Sequence, residues 1–385
     1  MSSLATNAIT DASGGNTATI NGQTPTLSNM AGRNRIINGD MRIDQRNAGA
    51  SVNGTSGVFT LDRWKVQNNS GAARFTVQQN AGSVTPPAGF SKYLGVTSTG
   101  AYSVASGDVI SIVQVIEGNN ISDFSWGTAG ASTATLSFKV RSSLTGTFGG
   151  SIKAAGATSY PFTFTISAAN TWEDKTVAVS APTSGTFATD NSTGVEIYWS
   201  MGTGASFNGT AGAWASADYR SATGATSVVG TSGATFYITG VQLEAGSVAT
   251  PFEHRPYGTE LALCQRYFES GFPAGVAVAD NTTYAYFNGG ALGATAYSTN
   301  ALRTLSIDFM VPKRTTPTVT LYKVNSIGSA NHWIYYNPGA GWTNYADATN
   351  VVCNSNTNFN VRSTQTSTAG TAYMIDGQWS ASAEL

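Results

Sequence analysis

The sequence predicts an all-β chain: a jelly-roll-like β-sandwich, a short helical connector, and a second small β-sandwich or barrel. Three observations predict it. Glycine supplies 43 of the 385 residues, in a chain rich in Ser, Thr and Asn, and this composition disfavours helices. Short apolar bursts alternate with polar residues over most of the length, the period-2 signature of half-buried strands. One stretch behaves differently. In TELALCQRYF, Leu261, Leu263, Cys264, Tyr267 and Phe268 fall near a 3.6-residue period, which predicts a helix with Thr259 as its cap.

Length and charge bound the rest. A chain of 385 residues exceeds what one ordinary core needs, so two domains are expected, and 41 % hydrophobic content excludes a wholly disordered chain. The 20 Lys and Arg nearly balance the 21 Asp and Glu, with no long run of one sign. No phosphate-neutralising surface is legible, so no nucleic-acid partner is expected. The opening MSSLATNAITDASGG has neither the basic nor the apolar region of a secretory leader, and no stretch stays apolar long enough to span a bilayer. The expectation is a chain made and folded in a cytoplasm, without membrane insertion. Cys264 and Cys353 lie far apart and without ligand-like neighbours, which predicts buried free thiols, no disulfide framework and no metal site.

Taken in order, the first 32 residues carry only Leu4, Ile9, Ile20, Leu27 and Met30 as large apolar groups, too widely spaced for a core. Such a segment buries too little to offset its ordering entropy and would need another chain to hold it, which makes it an attachment arm. At Arg33 the texture changes. RNRIINGDMRIDQRN packs Arg33, Arg35, Arg42 and Arg46 with Asp40 and Asp44 around a rough alternation and an Asn38-Gly39 turn signal. In LDRWKV, Leu61, Trp64 and Val66 face inward while Asp62 and Arg63 can pair. Mixed charge in a neutral chain predicts specific salt bridges at the domain entrance or against a neighbouring subunit.

GRNRIINGDMRIDQRNAGAS, LDRW, TGVQLEAGSVATPFEHRPYGTELALCQRYF, FMVPKRTTPTVTLY and the final AEL, in this order, resemble a recurrent pattern of bacteriophage and prophage tail-fibre and related virion proteins. The resemblance implies a virion structural protein and a homotrimer. It carries over no catalytic residue, because the matched motifs are architectural.

Between the motifs, RFTVQQN, SKYLGVTS, DVISIVQVIEG, ATLSFKVRSS, PFTFTIS, KTVAVSA, GVEIYWSMG and ATFYITGVQLE read as about eight strands of a jelly roll. The order of these features is also similar, more weakly, to jelly-roll carbohydrate-binding modules over about 60–245. Val241 and Leu243 alternate with Gln242 and Glu244 in the closing strand, which Gly246 and Pro251 stop. The resulting division is an arm at 1–32, a sandwich at 33–250, a connector with a short helix at 251–270, and a distal β domain at 271–385.

Chemistry is sparse. The two histidines, His254 and His332, belong to no HExxH, GxSxG or Walker-type pattern, and no DxDxDG calcium loop occurs. Glu117, Asp123, Glu173, Asp174, Asp190 and Glu196 are the candidates for a glycan-cleaving carboxylate pair. Aromatics are more informative, because sugar rings stack on them. Trp126, Trp214, Tyr219, Trp342 and Tyr345 fall in predicted loops and are the glycan candidates. Trp333 joins them from HWIYYNP, where alternation sets Trp333 and Tyr335 on one face and Tyr336 on the other. Trp64, Trp172, Trp199 and Trp379 read as core or interface.

Together these features predict a non-enzymatic, cofactor-free virion protein of tail-fibre type. Residues 1–32 would join tail or adaptor proteins through Leu4, Ile9, Ile20 and Leu27, and the distal domain would contact a host-surface polysaccharide or protein. A head fibre or capsid-decorating protein, and a capsule depolymerase, are the alternatives that the sequence leaves open.

Overall fold

The computed structural model describes residues 32–154, 156–280, 292–299, 301–323, 333–337, 341–344, 349–352, 354–363 and 368–385. Leu4, Ile9, Ile20, Leu27, His332, Tyr345 and Cys353 lie outside the described residues. The chain is all-β, as its composition predicts.

The first unit has fourteen strands: β1 (Val52–Asn53), β2 (Phe59–Leu61), β3 (Trp64–Asn68), β4 (Phe75–Gln79), β5 (Leu94–Ser98), β6 (Val109–Glu117), β7 (Ala134–Ser142), β8 (Gly146–Ala154), β9 (Ser159–Ile166), β10 (Glu173–Val179), β11 (Thr193–Thr203), β12 (Asn208–Gly209), β13 (Ser221–Ala222) and β14 (Thr235–Ala245). Twelve of them build two six-stranded sheets, ordered β1-β4-β5-β14-β7-β10 and β2-β3-β6-β11-β8-β9. Neighbours within both sheets run antiparallel, and consecutive strands often cross between sheets, as a jelly-roll-like sandwich requires. Alternation fills the space between them. Trp64, Ile112, Phe138, Phe148, Phe164, Trp199 and Phe236 point inward and are buried. Trp64 and Trp199 meet at 5.3 Å, and Phe138 meets Phe164 edge-on at 5.0 Å.

Strand β8, GTFGGSIKA, has no counterpart among the predicted strands. Its glycines dilute the strand signal, yet packing asks for them. A Cβ at Gly150 would run into the Tyr198 carbonyl of the neighbouring strand and the Phe162 ring.

The arginine-rich segment after Gly32 forms no strand; it is a plug wedged against the sandwich. Asn38 and Met41 adopt left-handed backbone, and the Asn38 amide grips Ile43 from both sides, accepting from its N–H at 2.9 Å and donating to its carbonyl at 2.8 Å. The rough alternation of this segment therefore reflects a turn that buries Ile36, Met41 and Ile43 without a ladder. Gly39 passes so close to the Val241 carbonyl of β14 that a Cβ would collide with it.

The helix α1 (Tyr257–Gln265) follows directly. It begins one turn earlier than the sequence suggests, because Pro256 is the N-cap and Thr259 lies inside the first turn. Cys264 is buried, which pushes its thiol well above the ordinary range and makes it inert.

The second unit contains β15 (Phe268–Ser270), β16 (Leu292–Ser298), β17 (Ala301–Thr304), β18 (Ile307–Asp308), β19 (Thr318–Tyr322), β20 (Ile334–Asn337), β21 (Gly341–Asn344), β22 (Thr349–Val352), β23 (Asn358–Ser363), β24 (Ala372–Asp376) and β25 (Gln378–Ser382). A three-stranded sheet, β15-β25-β19, faces an eight-stranded one running β18-β23-β17-β16-β24-β20-β21, with β22 beside β23. Trp333, Tyr335, Phe359, Val361 and Ile375 form the core between them.

The two units are joined by a charged clamp. Arg46 pairs with Asp62 at 2.8 Å and with Glu384 at 2.8 Å, while Arg63 pairs with Glu384 from its other side. Asp62 and Arg63, predicted to pair with each other, instead take different partners, because Arg63 turns between β2 and β3 with φ of 72°. The Arg63 guanidinium lies 3.6 Å over the Tyr267 ring, and Arg46 lies 3.7 Å over Phe268. On the same joint, Glu117 accepts from Arg266 at 2.6 Å and from the Tyr267 hydroxyl at 2.6 Å. Burial pushes the Glu117 carboxyl up, but bonds from Arg266, Tyr267 and Asn119 outweigh it and hold it below the ordinary range. Residues 383–385 thread back to close the joint. The Ala383 N–H donates to Tyr267 at 2.7 Å, Arg314 donates to the Ala383 carbonyl at 2.9 Å, and Leu385 packs against Val113, Val115 and Tyr198.

Two outcomes follow from this clamp. Removing one partner of a buried ion pair leaves an uncompensated charge, so Glu384→Ala should cost about 3–5 kcal/mol and split the calorimetric unfolding of the two units into separate transitions. Burial also pushes Asp62 up to about 6 against the opposing pull of Arg46 and Gln45. The folded chain therefore keeps a proton that the unfolded chain has lost, and the contribution of Asp62 to stability falls as pH rises from about 4 to about 6. Urea midpoints measured across that window should show this downward component in the wild type and lack it in Asp62→Asn.

Candidate functional site on the distal sheet

Strand alternation in the second unit sorts side chains into a core face and an open face. Ala294, Leu302, Tyr335 and Ile375 point into the core. The opposite face carries Thr295, Tyr297, Arg303, Tyr336 and Met374. Register sets part of it in one row: Tyr336 stands beside Met374, Met374 beside Gly293, and the Leu305 N–H reaches the Gly293 carbonyl at 3.4 Å.

This face is open to solvent. Leu305 is 72 % exposed, Tyr297 54 %, Met374 42 % and Tyr336 40 %. With Met310, they are five of the seven exposed large apolar side chains among the described residues. A cleft of about 440 Å³ opens among Thr295, Tyr297, Arg303, Thr304 and Leu305. Arg303 is steadied by donating to Asn360 Oδ1 at 3.2 Å. Aromatic rings, a guanidinium and threonine hydroxyls on a flat sheet can stack on an apolar face and bond hydroxyl or carbonyl groups at its edge.

Of the predicted glycan contacts, Trp126 and Trp333 are corrected by their burial. Trp126 is only 6 % exposed and donates to Ser132 O at 2.8 Å. It packs edge-on with Phe124, Phe187 and Trp214, so loop aromatics here close the end of the sandwich instead of standing out from it. Trp214 completes that box, contacting Tyr160 at 5.4 Å and donating to Ser180 O at 2.6 Å. Tyr219 is half-buried, its ring lying over Gly209. Trp333 is fully buried above Gly377, and its N–H reaches Gln378 O at 2.8 Å. Trp342 lies in β21, opposite Tyr336 in the backbone register. Sequence reasoning placed Tyr336 on the face opposite Trp333 but singled out none of the row; Leu305 and Met374 read as ordinary strand residues, and only pairing registers reveal their neighbours.

The six candidate carboxylates each have their own partners. Glu117 holds Arg266, Asp123 accepts from Arg35 at 2.6 Å, and Glu173 pairs with Lys175 at 2.6 Å. Asp174 pairs with Lys139, Asp190 closes a turn through the Ser192 N–H at 2.9 Å, and Glu196 accepts from the Tyr198 hydroxyl at 2.9 Å. His254 packs against Phe90 and Phe252, which also touch each other. Among the described residues no cluster of three His, Cys, Asp or Glu could hold a metal ion, and no helix is long and apolar enough to cross a membrane.

No family model matches the chain, and no curated protein matches it. Solved structures are similar to part of the chain. One is a Bacteroides thetaiotaomicron protein described as sugar-binding, 13 % identical over 55 % of this chain and 100 % of its own, with a TM-score of 0.32. Another is the enzymatically active domain of tailspike protein 4 of bacteriophage CBA120, 15 % identical over 51 % of this chain and 22 % of its own, with a TM-score of 0.29. A third is the family 11 carbohydrate-binding module of a Clostridium thermocellum cellulase, 13 % identical over 55 % of this chain and 100 % of its own, with a TM-score of 0.25. Overlaps at these scores carry no argument about activity, and the sandwich stands on its own strand pairing.

Because the exposed row contributes nothing to either core, Leu305→Asp and Met374→Ser should each shift the unfolding free energy by no more than about 0.5 kcal/mol in urea titrations.

Proposed function

We propose that the chain is a non-enzymatic attachment protein of a virion, anchored through its N-terminal arm and contacting a host-surface saccharide or protein with the open face of its distal sheet. The observation that carries this reading is the exposed row of Leu305, Met374 and Tyr336, with Tyr297 on the same face lining the cleft at Arg303. The solvent-facing side of an antiparallel sheet is ordinarily polar, and exposed apolar patches on it mark interaction surfaces. The tail-fibre-like motifs support the virion setting: the residues that carry the resemblance, from Arg33 to Trp64 and from Thr239 to Phe268, are those that build the plug and the clamp. The partnered state of the six carboxylates favours binding over hydrolysis. Three copies per particle site would raise weak single contacts to useful avidity.

The test is saturable binding of the full-length chain to whole host cells and to their extracted polysaccharide, with mass measured by light scattering. A trimer that binds, and whose Tyr336→Ser and Leu305→Asp variants fold normally but bind at least about tenfold more weakly, is the expected result. A folded chain that binds neither cells nor polysaccharide would move the reading to a decorating protein, and release of reducing sugar during the assay would move it to a depolymerase.

A further inference from the structure

The open face of the distal sheet carries a second row beside that of Leu305, Met374 and Tyr336, and this one is cationic. Pairing sets Asn350 opposite Arg362, Arg362 opposite Arg303, and Arg303 opposite Thr295. All four residues are exposed. Phe359 and Val361 belong to the core, so alternation along β23 turns Arg362 to the same side as Arg303. With strands ~4.8 Å apart, the row runs about 14 Å across the sheet.

Two arginines directly opposite each other are a poor choice for stability alone. Like charges at such a pair repel, and an exposed strand position accepts almost any side chain. The described carboxylates of this unit are placed elsewhere. Asp308 lies at the far end of the face, where Ser306 donates to it at 2.8 Å; Asp376 is buried, and Glu269 pairs with Lys313. Arg303 is also fixed from behind. It donates to Asn360 Oδ1 at 3.2 Å, and the Asn360 amide in turn donates to the Thr304 carbonyl at 3.1 Å, which holds the guanidinium at the cleft.

We propose that this face binds an acidic saccharide, a chain of uronic-acid type whose carboxylates sit on Arg303 and Arg362; the proposal rests on the distal face being the contact surface. A guanidinium presents parallel N–H donors that meet a carboxylate with two bonds, so charge and shape match together. Tyr297, 54 % exposed, lines the same cleft of about 440 Å³ as Arg303 and offers its ring to the apolar face of a sugar. The Thr295 hydroxyl and the Asn350 amide flank the arginines in the row and can bond ring hydroxyls. A flat ring beside paired cations favours a sugar over an acidic peptide, whose carboxylates hang on flexible stems with no ring to stack.

Hexamers of galacturonate and of mannuronate, each with its fully methyl-esterified counterpart, are titrated calorimetrically into the full-length chain. At least one acid hexamer should bind saturably, with its ester at least about tenfold weaker. Added NaCl should weaken the acid and spare the ester. Arg303→Gln and Arg362→Gln should each weaken the acid by about fivefold or more. Both variants should keep the wild-type urea midpoint, or exceed it, since each relieves the repulsion between the two cations. No saturation by either acid at about 5 mM, an ester that binds as tightly as its acid, or wild-type binding by both variants would overturn the proposal. Equal binding of hexaglutamate or of linear hexaphosphate would overturn it too, by revealing a face that reads charge alone. So would loss of an oligomer in Arg362→Gln, which would make the row a contact between copies of the chain. Binding to host cells that Tyr336→Ser weakens and both arginine variants leave intact sinks the acidic ligand and keeps the distal-face reading. Absence of binding to cells, polysaccharide and hexamers alike removes both.

Discussion

A guanidinium sealed from water holds the molecule together. Arg63 is 1 % exposed, and a bare cation at that depth would be untenable without the Glu384 carboxylate, the Val115 carbonyl and the Tyr267 ring around it. Those partners come from β6, from the segment after α1 and from the last residues of the chain. No smaller part of the protein contains a complete set. The sandwich strands pair only with one another, but the turn between β2 and β3 is tied to a residue 321 positions away.

That constraint explains why charge is so unevenly spent. Only 11 % of the chain is charged, yet Arg46, Asp62, Arg63, Glu117, Arg266, Glu269, Lys313 and Glu384 are gathered at one joint. Hydrophobic contact would glue two β units in many registers. Hydrogen-bonded ion pairs with fixed geometry accept few, so the joint gains definition from them more than strength. The apolar component of the joint is small by comparison: Ile37, Ile43, Cys264 and Tyr267, with Leu261, Leu263 and Leu385 alongside.

Period-2 alternation made most of the first sandwich legible, and it also set Tyr336 on the face opposite Trp333 and Tyr335. It failed where backbone needs overrode side-chain pattern. Strand β8 hides behind glycines that let Tyr198 and Phe162 approach. The plug mimics a strand because Asn38 and Met41 turn the chain while still burying alternate residues. The helix starts a turn before Thr259, whose cap-like side chain lies inside it, because Pro256 occupies the N-cap. Loop aromatics misled for a different reason: Trp126 and Trp214 sit in irregular segments, but those segments are the lid of the core. The salt-bridge partners were beyond reach of any local rule, since Arg63 and Glu384 are separated by 321 positions.

The thread of residues 383–385 has a consequence for motion. It touches the rest of the molecule at several places at once, through the Tyr267 carbonyl, Arg46, Arg63 and the cluster of Val113, Val115 and Tyr198. The second unit therefore cannot swing away from the first by giving up one contact at a time; a hinge movement has to break two ion pairs, a backbone hydrogen bond and an apolar contact together.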